Sequence, residues 1–111
     1  MTDIAKTIGT AVGRDYSSVS AWESDLADTN IYASQDKAEG SCYADSEFNE
    51  NIYISGTFDL SGIVLTAAAS DRHDGTAGSG VLIKPSNTSA YALDIYESNV
   101  TASWIEINGN D

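Results

Sequence analysis

The chain has 111 residues, 41% of them hydrophobic, which suffices for one folded domain with a modest core and excludes global disorder. Its 17 acidic residues against 5 basic ones give a formal net charge of -12, which disfavours nucleic acids and anionic membranes as partners. No apolar run reaches the length of a membrane span, and no signal-peptide pattern opens the sequence.

The N-terminal region predicts one strand and one helix. Residues 4–9 (IAKTIG) suit a short strand, and residues 14–26 (RDYSSVSAWESDL) are the most helix-like stretch of the chain. Val19, Trp22 and Leu26 fall at positions i, i+3 and i+7 of that helix, so they share one face. A short helix with such an apolar face is expected to cover a hydrophobic core.

Two serines are candidates for the N-cap of this helix, Ser17 and Ser20. Ser20 is followed three residues later by Glu23, which fits the capping-box pattern. Asp25 and Asp28, near the C-terminal end, oppose the helix dipole, so we expect the helix to be short.

The second half of the sequence repeats a triplet of one apolar, one variable and one apolar residue. The triplets are Ile52–Ile54, Ile63–Leu65, Val81–Ile83, Leu93–Ile95 and Ile105–Ile107. Strand alternation sends the outer two residues of each triplet to the core. Alternate triplets recur within the roughly 20–50-residue range of solenoid repeats. We therefore expect Ile52, Val81 and Ile105 to stack on one another, and Ile63 to stack on Leu93. An antiparallel sandwich is the competing interpretation, but two-residue Asn-Gly or Asp-Gly hairpin turns are lacking.

Four segments of the chain resemble the opening of bacterial and phage-type right-handed parallel β-helix proteins of the pectin-lyase-like superfamily. They are KTIGTAVGRDYSSVSAWESDL, SCYADSEFNENIYISG, IVLTAAASDRHDGTAGSGVLI and SWIEING. The resemblance implies an all-β fold, a short right-handed parallel β-helix (solenoid) with an N-terminal capping α-helix. In the single domain 1–111, residues 1–30 would form the strand and capping helix. Residues 31–111 would form the first two to three coils, truncated relative to the family.

The resemblance also implies a function, because terminal coils of solenoids need a cap. We expect a non-catalytic capping module or scaffold of a surface or virion-type β-helix protein, with Val19, Trp22 and Leu26 closing the first coil. One alternative is the N-terminal fragment of a polysaccharide lyase or glycoside hydrolase whose active residues lie on missing coils. Another is a structural subunit that stacks end to end. An extracellular, cell-surface or virion location follows from the resemblance alone.

Outward aromatic residues are the candidates for contact with a polysaccharide. Tyr53, Tyr96 and Trp104 fall at positions expected to face solvent, as does Tyr91, and their rings could stack on sugars. Packing under loops is the alternative role for some of these rings.

Two acidic residues at middle or outward positions, Asp94 and Glu106, are the candidates for a metal site. Their oxygen ligands suit calcium, although neither the EF-hand spacing nor a calcium-binding repeat is present. Simple solvation of an acidic surface is the competing explanation, and no cofactor is predicted.

A polar cluster, Asp71, Arg72, His73 and Asp74, lies in the glycine-rich segment DRHDGTAGSG. It contains the only histidine, so an acid–base or metal role is conceivable, but a solvent-exposed turn is the favoured interpretation. The single cysteine, Cys42, excludes an internal disulfide and is expected to be a small buried residue rather than a nucleophile.

Overall fold

The computed structural model describes residues 2–55, 59–76, 79–86 and 91–107. Within them lie helix α1 (Val19–Ser24), a 3-10 turn (Ala69–Asp71) and nine strands. The strands are β1 (Asp3–Ile8), β2 (Asp36–Cys42), β3 (Phe48–Asn49), β4 (Ile52–Ile54), β5 (Leu60–Ala67), β6 (Val81–Lys84), β7 (Leu93–Ile95), β8 (Val100–Ala102) and β9 (Ile105–Ile107).

The strands form three sheets in which every neighbouring pair runs parallel. The largest sheet has the order β1-β2-β5-β8, the second β3-β6-β9, and the third contains only β4 and β7. All five predicted triplets lie in strands, which agrees with their apolar alternation.

The prediction of a right-handed parallel β-helix with a capping helix is wrong. No closed solenoid is found in the part of the chain that the structure describes, which instead contains separate sheets of four, three and two strands. Strands β3, β4, β6, β7 and β9 are only two to four residues long. Each of these strands pairs only within its own short sheet, so the strands do not join into one continuous coil wall.

The predicted stacking of alternate triplets is also wrong in part. Ile52 pairs with Leu93 instead of Val81, and Ile63 pairs with Val100 instead of Leu93. Val81 does pair with Ile105. The sequence pattern missed three strands, β2, β3 and β8, because none of them has the triplet form. Apart from β1 with β2, pairing connects strands that are three apart in the chain, so the order of pairing differs from the one expected from the triplets alone.

Helix α1 covers the core with the apolar face that the sequence indicated. Val19 and Trp22 of α1 are fully buried, and Leu26, which lies in the turn after the helix rather than in it, is nearly so. The indole of Trp22 lies against Gly40 of β2, where an added Cβ would come within 2.9 Å of two ring carbons. Its Nε1–H donates to the hydroxyl of Tyr32 at 3.2 Å, so the buried polar group of the indole is satisfied.

The N-cap of α1 is neither Ser17 nor Ser20, so both predictions were wrong. Ser18 has the extended backbone of an N-cap, and its Oγ accepts a hydrogen bond from the Ala21 amide at 3.1 Å. The predicted capping box does not form, because Glu23 accepts instead from the amide of Ser55 at 3.5 Å.

A carboxylate far away in the sequence completes the helix start. Glu50 Oε2 accepts from the Val19 amide at 2.9 Å, and Glu50 Oε1 accepts from both the amide and the hydroxyl of Ser20 at 2.9 and 2.8 Å. These bonds satisfy amide groups that have no partner within a helix. They also tie α1 to the loop before β4. Strand β4 carries Tyr53 of the candidate site described below.

Candidate functional site

Three tyrosines and one aspartate form an exposed surface on the β4–β7 sheet, which we call the tyrosine surface (Tyr53, Tyr91, Tyr96 and Asp94). Tyr53 is the middle residue of β4 and lies in register beside Asp94 of β7. Alternation turns the isoleucines flanking Tyr53 to the core and leaves its ring outside. The exposed fractions of Tyr53, Tyr91 and Tyr96 are 43%, 71% and 67%.

Asp94 is the polar centre of this surface. The hydroxyl of Tyr96 donates a hydrogen bond to Asp94 Oδ2 at 2.8 Å. This bond raises the pKa of Tyr96, with further contributions from the charge of Asp94 and from the nearby hydroxyls of Tyr53 and Tyr91. Tyr96 is therefore held as a neutral phenol beside a carboxylate.

The backbone beneath the tyrosine surface is fixed at both ends of β7. Asn51 Nδ2 donates to the carbonyl of Tyr91 at 2.9 Å, and Asn51 Oδ1 accepts from the hydroxyl of Ser86 at 3.0 Å. At the other end, the amide of Tyr96 donates to the carbonyl of Ile54 at 2.9 Å. The rings thus project from a hydrogen-bonded support, and Asn51 is a site residue that the sequence pattern did not reveal.

Trp104, the third ring predicted to contact carbohydrate, belongs to a different group of residues. It precedes β9, and the guanidinium of Arg72 lies over its ring at 4.9 Å from the centroid. Its carbonyl accepts from the His73 amide at 3.3 Å. Trp104 is 52% exposed and has a φ of 63°, an unusual left-handed conformation for a bulky residue.

His73 and Glu106, which the sequence assigned to separate candidate sites, are in contact. His73 Nε2 lies 3.1 Å from Glu106 Oε1. The amide of Gly75 donates to His73 Nδ1 at 3.0 Å, so Nδ1 is unprotonated and the ring proton sits on Nε2. Nε2–H therefore donates to the carboxylate, and the pair joins the loop after β5 to strand β9.

The two aspartates of the predicted polar cluster stabilise loops. Asp71 Oδ2 accepts from the Ala44 amide at 2.8 Å. Asp74 Oδ1 accepts from the hydroxyl of Ser79 at 2.7 Å and from the Thr76 amide at 2.9 Å. The bond from Ser79 is the main cause of the lowered pKa of Asp74. Both carboxylates are thus already committed to hydrogen bonds within the fold.

The predicted metal pair, Asp94 and Glu106, is divided between two sheets. Asp94 lies in β7 and Glu106 in β9, where they bind Tyr96 and His73 respectively. Among the described residues, no group of three or more His, Cys, Asp and Glu side chains is arranged to hold a metal ion.

Cys42 is fully buried at the end of β2, as the sequence analysis predicted. Burial raises the pKa of its thiol to about 12, so the thiolate that a nucleophile requires is scarce at neutral pH. This residue therefore acts as part of the core.

Two shallow clefts lie elsewhere on the described surface. One, of about 210 Å³, lies beside Tyr32 and Asp59, and the other, of about 250 Å³, beside Glu47 and Leu82. The carboxylate of Asp59 already accepts from the side chains of Ser34 and Gln35, which lowers its pKa. Sequence patterns gave no signal for either cleft because the lining segments are distant in the chain.

No protein family, curated protein or solved structure matches the chain in the comparisons made. The resemblance to the pectin-lyase-like superfamily therefore stays a prediction. Among the described residues, no helix has the length and apolar character needed to cross a membrane.

Proposed function

We propose that this protein is a non-catalytic binding module that contacts carbohydrate through the tyrosine surface. The observation that carries the proposal is that the exposed ring of Tyr53 lies in register beside Asp94, whose carboxylate binds the hydroxyl of the exposed Tyr96. The exposed Tyr91 lies close enough to Tyr96 to influence its pKa. Aromatic side chains provide large apolar faces at a low cost in conformational entropy. The C–H faces of sugar rings can stack on them while the hydroxyl groups reach polar atoms at the edge.

The polar atoms needed at that edge are available. Asp94 offers carboxylate oxygens beside Tyr53, and the phenol of Tyr91 can donate or accept a hydrogen bond. The hydroxyl of Tyr96, which gives its proton to Asp94, can still accept one. The hydrogen-bonded backbone of β4 and β7 holds these groups before a ligand arrives, which reduces the entropy lost on binding.

The form of the surface favours binding over hydrolysis. Most glycoside hydrolases place two carboxyl groups about 5–10 Å apart on either side of the scissile bond. Asp94 is instead held by the hydroxyl of Tyr96, and the other carboxyl group of these segments, Glu97, is partly buried with one oxygen enclosed.

Replacing Tyr96 tests whether its ring contacts sugar. We expect Tyr96→Leu to weaken the binding of neutral oligosaccharides by about 2- to 12-fold, the equivalent of one aromatic contact of about 0.5–1.5 kcal/mol. Tyr96→Phe keeps the ring and should retain most of the affinity. Calorimetric titration against a panel of neutral oligosaccharides measures both variants.

The matched control for this experiment is Trp104→Leu, which removes an exposed ring outside the tyrosine surface. Its affinity should equal that of the wild type. An equal loss in Trp104→Leu and Tyr96→Leu would contradict the assignment of the site, and the absence of binding to any saccharide would overturn the proposal.

The open strand edges favour a second candidate function, end-to-end self-association. Within the described chain, β7, β8 and β9 each pair with a neighbour on one side only. Ile95 and Ile107, at the ends of β7 and β9, are exposed apolar residues. Unpaired edges of this kind can accept a strand from another copy, and a head-to-tail contact can propagate.

Light scattering across a concentration series tests this second candidate. The apparent mass of the wild type should rise with concentration, and Ile107→Lys should keep it at that of a monomer, because a lysine at an edge blocks strand pairing. Val12→Lys places the same charge in an exposed loop and should associate like the wild type. A wild type that stays monomeric at every concentration would exclude self-association.

A further inference from the structure

We propose that the tyrosine surface selects saccharides that carry free amino groups, in preference to neutral and acidic ones. This inference rests on the proposed function and specifies the substrate class of the same site. A cationic amino sugar combines a pyranose face, which stacks on the rings, with an ammonium group, which pairs with Asp94.

The charge of the surrounding segments supports this selectivity. Residues 51–55 and 91–99, which supply the tyrosine surface and Asn51, contain the acidic residues Asp94 and Glu97 and no basic residue. The whole chain carries a formal net charge of -12. A local carboxylate and a negative overall field attract an ammonium group and repel the carboxylate of a uronic acid.

Asp94 retains the capacity to accept a ligand. An ionised carboxylate can accept about four hydrogen bonds, two on each oxygen. The hydroxyl of Tyr96 uses one of the two positions on Asp94 Oδ2, so the remaining positions can accept from a ligand. A charge-assisted bond from an ammonium group is stronger than one from a neutral hydroxyl, so the amino sugar gains more from this atom.

The aromatic rings provide a second source of preference for a cation. In this protein, Arg14 lies 3.6 Å from the ring centroid of Tyr43, and Arg72 lies over Trp104. Among the described residues, no cationic side chain lies over the rings of the tyrosine surface. The exposed parts of these rings can therefore attract a cation from a ligand, and a neutral sugar makes no such contact.

The experiment compares three oligosaccharides of equal length by calorimetry at low salt. They are a glucosamine oligomer, which is cationic, an N-acetylglucosamine oligomer, which is neutral, and a galacturonate oligomer, which is anionic. We expect the cationic oligomer to bind about 5- to 20-fold more tightly than the neutral one and the anionic oligomer to bind most weakly. Added salt should reduce the difference, because it screens exposed charges.

Two matched variants separate the local carboxylate from the overall charge. Asp94→Asn keeps the shape of the side chain and should bring the cationic and neutral oligomers to similar affinities. Asp3→Asn removes one exposed carboxylate from β1, outside the tyrosine surface, and should preserve the preference. Tyr96→Phe, which leaves Asp94 intact, should also keep the preference for the cationic oligomer. Circular dichroism and the melting temperature check that each variant is folded.

The possible outcomes distinguish the failure of the amino-sugar inference from the failure of the proposed function. Equal binding of the cationic and neutral oligomers, with both weakened in Tyr96→Leu, would overturn the amino-sugar inference and leave the proposed function standing. A similar loss of preference in Asp3→Asn and Asp94→Asn would also overturn the inference, because net charge alone would explain it. No binding of any of the three would overturn the inference together with the proposed function.

Discussion

Replacement of Trp22 with alanine is expected to lower the free energy of unfolding by about 3–5 kcal/mol, as for other buried aromatic residues. The indole is fully buried between α1 and β2, and it carries the hydrogen bond to Tyr32. Its removal leaves a cavity over Gly40 and a buried hydroxyl without its partner. Denaturant unfolding followed by far-ultraviolet circular dichroism measures the loss.

The second tryptophan of the chain provides the control. Trp104 is half exposed, so Trp104→Ala removes little buried area and should cost about 1 kcal/mol or less. Equal losses for Trp22→Ala and Trp104→Ala would contradict the placement of Trp22 in the core and the role of α1 as its cover.

The second large effect is expected for Gly80→Ala, which should destabilise the protein by at least about 2 kcal/mol. Gly80 has a φ of 67°, which is unfavourable for a residue with a side chain. An added Cβ would lie 2.7 Å from the carbonyl oxygen of Asp71 and from the amide nitrogen of His73. Both are backbone atoms, so the loop must shift to make room.

Gly75→Ala is the matched control in the same loop. Its φ is 96°, but no neighbouring atom lies within 4 Å of the added Cβ, so this variant has the conformational cost without the collision. Thermal melts of both variants should show the larger decrease for Gly80→Ala. The NMR signals of the His73 imidazole should also move in that variant, because the collision displaces the backbone of the His73–Glu106 pair. Equal decreases for the two glycines would contradict the close approach at Gly80.

The local pattern of the sequence was enough to find many of the elements. The triplets lie in strands, and the helix within residues 14–26 buries Val19 and Trp22. The periods of strand and helix are properties of neighbouring residues, so they can be read without the rest of the fold. The same alternation indicated that Tyr53 faces solvent, and its ring is exposed.

The partners of the strands were not determined in this way. Ile52 pairs with Leu93, and the order of pairing depends on β3 and β8, whose sequences lack the repeated pattern. Pairing is chosen by packing and backbone hydrogen bonds across long loops, which the apolar period does not encode. The triplets were correctly predicted as strands, but the solenoid expected from them did not form because the strands pair in a different order.

The candidate site shows the same division between local and tertiary information. The sequence by itself determined that the chain is acidic, that its triplets are strands and that certain aromatic residues face outward. Only the tertiary structure showed that Tyr53 lies beside Asp94. It also showed that Trp104 packs against Arg72 and that His73 contacts Glu106. These partners come from different strands and loops, and a side chain acquires its neighbours only when the distant segments that carry them have packed together.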